Sequence, residues 1–339
     1  MNPAVLQLPD LYRPIEADLA RVVAIMDQEL QSELPFVAQL CERVRGYRGK
    51  MLRPALLLLS GQSVAGVQSV LGGPAAGGVT SEHHTLAAVV ELVHLATLVH
   101  DDVLDQAEER RRQATISSTN GNEAAVMLGD YLISHAFHLC SSLDSQSASR
   151  LVGHTTNVVC EGELMQIHSR GHFKLSEPDY IEIIRRKTAA LTAACCRLGA
   201  THAGADETLA SRLEVFGESA GIAFQIVDDI LDVVGEQKKM GKTLGRDLEL
   251  GKMTLPVIHY LREAPTDKQE AMLKKLASAE HDDRAHVAQQ LTEFGSVAYA
   301  TSVAEQHVSR AISMLEGLPE SASRSSLLSM AEFIIQREN

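Results

Sequence analysis

The chain has 339 residues, of which 45% are hydrophobic, and a formal net charge of -13 at pH 7. This length and apolar content are ample for a large core, and the acidic balance argues against a general nucleic-acid-binding protein. The same balance argues against simple electrostatic attraction of phosphates, so an enzyme acting on them would need local cations or metal ions.

Helix-forming segments follow one another along nearly the whole chain. Helical periodicity and strong helix formers predict helices at 17–45, 51–65, 84–108, 122–142, 147–168, 178–199, 206–235, 255–262, 266–278, 283–294, 297–316 and 323–337. Ser176, Pro178 and Asp179 give one of these helices an N-cap and a first turn. The Gly-rich stretch 61–78 predicts a loop. Alternating β-branched runs are nearly absent, so we predict an all-α fold in a single domain, residues 1–339.

The N-terminal region and the cysteines give expectations about location. Residues 1–20 lack a basic start followed by an apolar run, so no signal peptide is predicted. No uncharged apolar stretch of roughly 18 residues occurs, which predicts no membrane-spanning helix and a cytoplasmic protein. The five cysteines form no CxxC pair, which predicts buried thiols and not disulfides or a zinc site. They are Cys41, Cys140, Cys160, Cys195 and Cys196.

The segment 91–112, ELVHLATLVHDDVLDQAEERRR, carries a first cluster of carboxylates. If the whole segment is one helix, a rotation of about 100° per residue brings Asp101 and Asp105 together on the face of His94. Asp102 then lies to one side of that face.

A second cluster with the same spacing lies in the segment 218–236. Asp228 and Asp232 share a helix face with Gln225, and Asp229 adjoins them. Carboxylates one turn apart repel each other, yet at this spacing they can chelate Mg²⁺, which shares its remaining sites with water and phosphates. An ordinary solvated helix face is the alternative, and a second copy in apolar surroundings disfavours it. We therefore expect the two helices to face each other and hold one diphosphate through Mg²⁺.

Cationic residues accompany both clusters. The candidates in chain order are Lys50 and Arg53 within RGKMLRP, the run Arg110 to Arg112, Lys187 with Thr188, and the Gly-interrupted basic segment 235–256. Each one alone is typical of solvated surface, and their association with the carboxylates makes them candidate phosphate ligands. The Walker A and EF-hand patterns are both absent.

These motifs resemble the trans-isoprenyl diphosphate synthase (polyprenyl synthetase) family over nearly the whole chain, most of all its medium- and long-chain, octaprenyl-type members. The similar stretches are RGKMLRP, DDVLDQAEERRR, GDYL, GELMQ, RRKTA, FQIVDDILD, GKTLGRDLELGKMTLP and FIIQREN. The resemblance implies the isoprenoid synthase fold, with antiparallel helices around a deep central cavity, and a homodimer. It also implies head-to-tail condensation of isopentenyl diphosphate with an allylic diphosphate through an allylic carbocation, with three Mg²⁺ ions per site.

The resemblance further implies a role for each matching residue. The corresponding Mg²⁺ ligands are Asp101, Asp105, Asp228 and Asp232, and the other residues counted as catalytic are Asp102, Asp229, Arg110 and Lys187. The positions that hold the allylic diphosphate are Arg110, Lys187, Thr188, Gln225 and Lys242. Those that hold isopentenyl diphosphate are Lys50, Arg53, His94 and Arg111. A family lysine also matches Lys252, whose role is left open.

Three positions depart from the family pattern. Arg112 stands where Gly is usual, Ala114 where Pro is usual, and Arg246 where a small polar residue is common. These departures bear on the loop after Arg111 and leave the metal ligands intact.

Product length is predicted from Ala96 and Thr97, just before the first cluster. Short-chain members often place an aromatic floor there, so small residues predict a medium or long product, although the floor could instead lie on the 130–140 helix. A geranylgeranyl or other short-chain synthase is the nearest alternative. A non-catalytic subunit of a heteromeric synthase tends to lose the acidic motifs, and a class I terpene cyclase typically has a different second metal motif.

Overall fold

The chain folds almost entirely into helices. The computed structural model describes residues 8–70, 78–234, 246–278 and 283–336. The first elements are α1 Leu8–Leu11, a 3-10 turn Arg13–Ile15, α2 Glu16–Glu29, α3 Pro35–Arg45, α4 Leu52–Val70, α5 Ser81–Leu104, β1 Glu109–Arg110, β2 Gln113–Ala114, α6 Ile116–Asn120 and α7 Asn122–Ser141. There follow α8 Gln146–Ser169, α9 Glu177–Ile184, a π-helical turn Arg185–Ala189, α10 Ala190–His202 and α11 Glu207–Val234. The last are α12 Arg246–Glu249, α13 Leu255–Glu263, α14 Thr266–Ser278, α15 Asp283–Glu293, α16 Ser296–Met314 and α17 Ala322–Gln336.

The predicted all-α class is confirmed. Over the described ranges the antiparallel hairpin of β1 and β2 is the only sheet. None of the helices in those ranges is both long enough and apolar enough to cross a bilayer.

The chain divides into two compact units, each assembled from separated stretches of sequence. Unit 1 comprises Met1–Thr156, Leu191–Gly217 and Met314–Met330. Unit 2 comprises Asn157–Ala190, Glu218–Ser313 and Ala331–Asn339. The first carboxylate cluster belongs to unit 1 and the second to unit 2.

Helix α5 is the centre of unit 1 and packs against α2, α4 and α7. Its apolar residues are buried around most of its circumference, as expected for a helix enclosed by others. Leu92, Leu95 and Val99 are completely buried, and each such aliphatic side chain stabilises the fold by about 1.5–3 kcal/mol. The core is therefore aliphatic, and it holds the carboxyl end of α5 in a fixed position.

The predicted helix across 91–112 is wrong beyond Leu104. Gln106 has a positive φ of 49°, its N–H donates to the carbonyl of Val103, and the N–H of Ala107 donates to that of Asp102. This is the Schellman pattern that ends helices, with Gln106 in the position that Gly usually takes. Asp105 is therefore the C-cap residue of α5 and not an interior helical residue.

Two other boundaries differ from the sequence prediction. The predicted helix 17–45 is two helices, because Pro35 lacks an N–H and begins a new helix at α3. The stretch 61–70, predicted as a loop, continues α4, and 71–77 lies outside the described residues. A Cβ at Gly61 would lie 2.8 Å from Nε2 of His83. This glycine therefore allows close helix packing and does not break the helix.

The structure agrees with the predicted N-cap of α9 and with the predicted burial of four of the five thiols. The hydroxyl of Ser176 accepts a hydrogen bond from the N–H of Asp179, as predicted. Four cysteines are buried free thiols, but Cys160, on α8, is exposed. The burial prediction is wrong for that residue.

Candidate active site

The first carboxylate cluster ends helix α5 in unit 1. Asp101 and Asp105 are partly exposed, and the N–H of Asp105 donates to the carbonyl of Asp101 at 2.8 Å. Asp102 is buried and accepts a hydrogen bond from Nε of Arg110 at 2.7 Å. Burial raises the pKa of Asp102, and the charge of Arg110 opposes that rise. Asp102 therefore holds Arg110 in place, while Asp101 and Asp105 remain accessible to a ligand.

Arg110 lies on a two-residue hairpin. Arg110 pairs with Gln113, and the connecting Arg111 and Arg112 have φ angles of 52° and 63°. Two successive positive φ angles define a type I′ turn, which favours Asn-Gly. The structure thus explains why a Gly at position 112 suits this loop, and it shows that Arg112 carries backbone strain.

Tyr47 anchors this hairpin and was missed by the sequence reasoning. Its hydroxyl accepts a hydrogen bond from the N–H of Ile116 at 3.1 Å, and the Arg110 guanidinium lies 6.0 Å from its ring centre. Burial and the nearby charge of Asp102 raise the pKa of Tyr47, which therefore stays protonated. No local sequence pattern marks this tyrosine, because its partners Asp102, Arg110 and Ile116 lie more than fifty positions away.

A cationic cluster in the same unit contains Arg53, His94 and Arg111. Burial and the charges of Arg53, Arg111 and Arg110 hold the pKa of His94 well below its usual value, so this imidazole is neutral at pH 7. A side chain at Gly49 would collide with the Arg111 guanidinium, so the missing Cβ leaves room for that cation. Lys50, the next residue, is exposed.

Glu91 is a buried carboxyl group next to this cationic cluster. It is 2% exposed, and its Oε2 has no hydrogen-bond partner in the part of the chain that the structure describes. Burial raises its pKa, and the charges of Arg53 and Arg111 oppose the rise. Sequence reasoning missed Glu91 because one isolated Glu in an apolar helix carries no spacing signal.

The second carboxylate cluster lies on α11 in unit 2. Asp229 is buried and accepts hydrogen bonds from the hydroxyl of Tyr180 at 2.6 Å and from Nε2 of Gln225 at 2.7 Å. The hydroxyl of Thr188 in turn donates to Oε1 of Gln225 at 2.9 Å. The structure thus joins Thr188, Gln225 and Asp229, all of them sequence candidates, in one chain of hydrogen bonds. It adds Tyr180.

Burial and neighbouring carboxylates perturb Asp229. Burial raises its pKa far above the ordinary value, and the charges of Asp247 and Asp228 act in the same direction. The hydrogen bonds from Tyr180 and Gln225 oppose this rise. Asp228 and Asp232 are both partly exposed, so they are the accessible carboxylates of this motif.

Lys187 lies in the π-helical turn that follows α9. Its Nζ forms an ion pair with Glu163 at 2.5 Å and donates to Oε1 of Gln166 at 2.7 Å. A Cβ at Gly162 would overlap the backbone nitrogen of Lys187. The glycine therefore lets α8 and the π turn meet backbone to backbone, and π turns are frequent at functional sites.

The segment after α11 is described only in part. Lys242 and the rest of 235–245 lie outside the described residues. From α12, the N–H of Asp247 donates to Oδ2 of Asp232 at 3.1 Å. Lys252 is nearly buried, with Nζ 3.5 Å from Asp247. Asp247, which was not a sequence candidate, thus connects this segment to the second motif.

These side chains of unit 2 surround a cavity of about 70 Å³. Its polar wall contains Gln166, Tyr180, Lys187, Thr188, Gln225, Asp229, Asp247, Lys252 and Thr254. Both cations and carboxylates line the cavity, an arrangement suited to a phosphate group bound together with metal ions.

The chain was compared with known proteins and structures. The sequence pattern of polyprenyl synthetases matches residues 35–294. The chain belongs to the polyprenyl synthetase family. The octaprenyl diphosphate synthase of Escherichia coli strain K12 is 31% identical over 325 residues, which cover 95% of this chain and 96% of that protein. The predicted family and its prenyltransferase class are confirmed.

Solved structures of polyprenyl synthetases share the fold. A decaprenyl diphosphate synthase from Rhodobacter capsulatus superposes with a TM-score of 0.89 at 30% identity, covering 98% of this chain and 100% of that one. A polyprenyl synthase from Caulobacter crescentus CB15, complexed with calcium and isoprenyl diphosphate, has the same TM-score and identity, with 98% of each chain covered. The predicted isoprenoid synthase fold is confirmed.

The donor atoms of this polyprenyl synthetase fit a hard divalent cation. Within the described ranges no three His, Cys, Asp or Glu side chains converge to form a ready-made metal site. The two motifs instead present pairs of partly exposed carboxylates, Asp101 with Asp105 and Asp228 with Asp232, and hard divalent cations bind oxygen ligands of this kind.

Proposed function

We propose that this chain is an Mg²⁺-dependent all-trans polyprenyl diphosphate synthase. It joins isopentenyl diphosphate head to tail to an allylic diphosphate and makes a medium- or long-chain product. The observation that carries this proposal is the cavity of unit 2, where Lys187 and Lys252 share a wall with Asp229 and Asp247. A metal-bound diphosphate needs both types of group, since cations contact its oxygens and carboxylates hold its metal ions.

The metal ligands in this proposal are Asp101 and Asp105 in the first motif and Asp228 and Asp232 in the second. All four are carboxylates that remain partly exposed, whereas Asp102 and Asp229 are buried. We propose three Mg²⁺ ions per active site. When bound, they would neutralise charge on the departing pyrophosphate.

The cationic residues divide between the two substrates. The proposed ligands of the allylic diphosphate are Arg110, Lys187, Thr188, Gln225 and Lys242, and those of isopentenyl diphosphate are Lys50, Arg53, His94 and Arg111. The neutral His94 supplies a hydrogen-bond donor beside Arg53 and Arg111 without adding a third positive charge. A further cation there would repel its neighbours and be harder to desolvate.

The chemistry follows from the charge that these residues offer. As the allylic C–O bond breaks, negative charge grows on the pyrophosphate oxygens, and fixed donors such as Lys187 and Arg110 stabilise it. The double bond of isopentenyl diphosphate attacks the carbocation, and transfer of a proton to the departed pyrophosphate completes the condensation. Apolar walls exclude water, which would otherwise react with the cation.

Product length and assembly are further parts of the proposal. Thr97 is partly exposed and donates to the carbonyl of His94 at 2.7 Å, whereas Ala96 is completely buried. Thr97 is therefore the better position at which to test the floor of a chain-length ruler. The names of the Escherichia coli and Rhodobacter capsulatus relatives support a medium or long product.

We also propose a cytoplasmic homodimer that does not bind nucleic acid. Helix α7 exposes three large apolar side chains, Val126, Met127 and Phe137, of which Met127 is 64% exposed. Apolar residues on an outer helix face support contact with a second copy of the chain.

The test is incubation of the purified protein with isopentenyl diphosphate, farnesyl diphosphate and Mg²⁺, with product length measured by mass spectrometry. Asp101→Ala and Asp228→Ala should abolish turnover without changing the far-UV circular dichroism spectrum. Asp144→Ala removes an exposed aspartate between α7 and α8 and should retain activity. Activity retained by either motif variant would refute the proposal. A C20 product would point to a geranylgeranyl synthase, and no product without a partner chain would point to a subunit of a heteromeric enzyme.

A further inference from the structure

The ammonium group of Lys187 already has an anionic partner within the protein. Glu163 lies 2.5 Å from Nζ, and the exposed fractions of the two side chains are 16% and 21%. Gln166, one turn further along α8, accepts a hydrogen bond from the same Nζ at 2.7 Å. The cation assigned to the allylic diphosphate is therefore engaged by a carboxylate in this structure.

The backbone enforces this pairing. Gly162 immediately precedes Glu163, and its α-carbon packs against the backbone of Arg186 and Lys187 so tightly that no side chain fits there. Glu163 and Lys187 thus project from two segments that pack backbone to backbone. This glycine contact does not involve the Glu163 carboxylate, so we expect the segments to stay packed when the carboxylate is neutralised.

A diphosphate at Lys187 would bring a second anion to a group that is already paired. If Glu163 stayed in place, carboxylate and phosphate oxygens would repel each other at close range in a partly buried site. If Glu163 moved away, binding of the diphosphate would include the loss of an ion pair. In both cases the carboxylate weakens diphosphate binding.

We propose that Glu163 is an internal competitor for diphosphate at Lys187, which lowers the affinity of the site for pyrophosphate and so favours release of this product. The inference rests on the proposed role of Lys187. Glu163 acts through that lysine, so it is not a catalytic residue. Removing its charge should strengthen pyrophosphate binding, whereas removing an ordinary structural partner of Lys187 should weaken it.

The sign of the effect separates the two roles. If Glu163 only orients Lys187, then Glu163→Gln should weaken pyrophosphate binding. If it competes, the same substitution should tighten binding by roughly fivefold, which corresponds to the loss of a partly exposed ion pair worth about 1 kcal/mol. Glu163→Asp keeps the charge and should stay within about twofold of the wild type.

A matched control lies two residues away on α8. Glu161 forms an ion pair with Arg186, the residue before Lys187, and is 58% exposed. Its partner does not line the cavity described above. Glu161→Gln removes the same charge from the same helix and should leave pyrophosphate affinity unchanged within about twofold.

The experiment is calorimetric titration of the full-length protein with inorganic pyrophosphate in the presence of Mg²⁺. It compares the wild type, Glu163→Gln, Glu161→Gln, Lys187→Ala and the double variant of Glu163 and Lys187. We expect tighter binding only in Glu163→Gln, and no effect of Glu163→Gln once Lys187 is alanine, because the coupling requires both groups. Steady-state kinetics should show lower KM for the allylic substrate and stronger inhibition by pyrophosphate.

Unchanged or weaker binding by Glu163→Gln, together with weaker binding by Lys187→Ala, would overturn the competitor role and leave the proposed function standing. Wild-type binding by Lys187→Ala would instead overturn the assignment of Lys187. If Glu163→Gln lowers the melting temperature, Glu163→Ala provides a second neutral variant with the same expected increase in affinity.

Discussion

Removal of the Tyr180 hydroxyl tests how the second aspartate motif is held. The hydroxyl donates to Oδ2 of Asp229 at 2.6 Å, and the two residues are 3% and 6% exposed. We expect Tyr180→Phe to lose about 1.5 kcal/mol of the free energy that holds Asp229 and its hydrogen-bonded neighbours in position. This value lies between those for neutral and charged hydrogen bonds. Asp229 also fixes the amide of Gln225, whose other end accepts from Thr188.

The expected kinetic result is selective for one substrate. A loss of about 1.5 kcal/mol corresponds to a decrease of roughly tenfold in kcat/KM for the allylic diphosphate. The KM for isopentenyl diphosphate should remain within twofold, since its proposed ligands belong to unit 1. Tyr299→Phe is the matched control, because the Tyr299 hydroxyl bonds Glu177 at 2.8 Å outside the cavity lining. Equal losses for both substrates, or no loss, would refute this reasoning.

Three further predictions follow from strain, charge and shape. Arg112→Gly should stabilise the protein by about 1 kcal/mol, because φ of 63° is costly for any residue with a Cβ; an unchanged melting temperature would contradict it. Glu182 has its pKa lowered to about 2 by Arg185 and Arg186. Glu182→Gln should therefore lower the free energy of unfolding above about pH 4.5, and this difference from the wild type should vanish as the pH falls to about 2. Denaturant unfolding at each pH measures the difference. Thr97→Tyr should shorten the product seen by mass spectrometry, and an unchanged product would place the floor elsewhere.

The carboxylate motifs could be predicted from sequence because their signal is local. Asp101 and Asp228 each precede a second carboxylate by four positions, and one helical turn makes that spacing meaningful. The helix end at Gln106 was missed because the helix-ending position usually holds Gly, and a Gln there is read as ordinary helix. The strained turn at Arg112 was visible only as a departure from the family pattern.

The supporting residues could not be found in the same way. Tyr47, Glu91, Glu163 and Tyr180 act on partners that only the fold brings near. Tyr47 lies in the turn after α3, the other three lie in helices, and each is an ordinary residue type for its place. Tyr180 and Asp229, for example, are 49 positions apart. Such contacts follow no regular spacing in the sequence. Spacing arguments therefore identify the residues that face a ligand and miss the residues that hold those side chains in position.

The π-helical turn at Arg185–Ala189 makes this part of the chain sensitive to length. A π turn contains about one residue more than an α-helical turn, so it behaves like a single-residue insertion in the helix. Deleting one residue there would restore α-helical winding and rotate Lys187 and Thr188 by about 100° relative to α10. Natural or engineered variants should therefore tolerate substitutions at the partly exposed Arg186 far more readily than any insertion or deletion between α9 and α10.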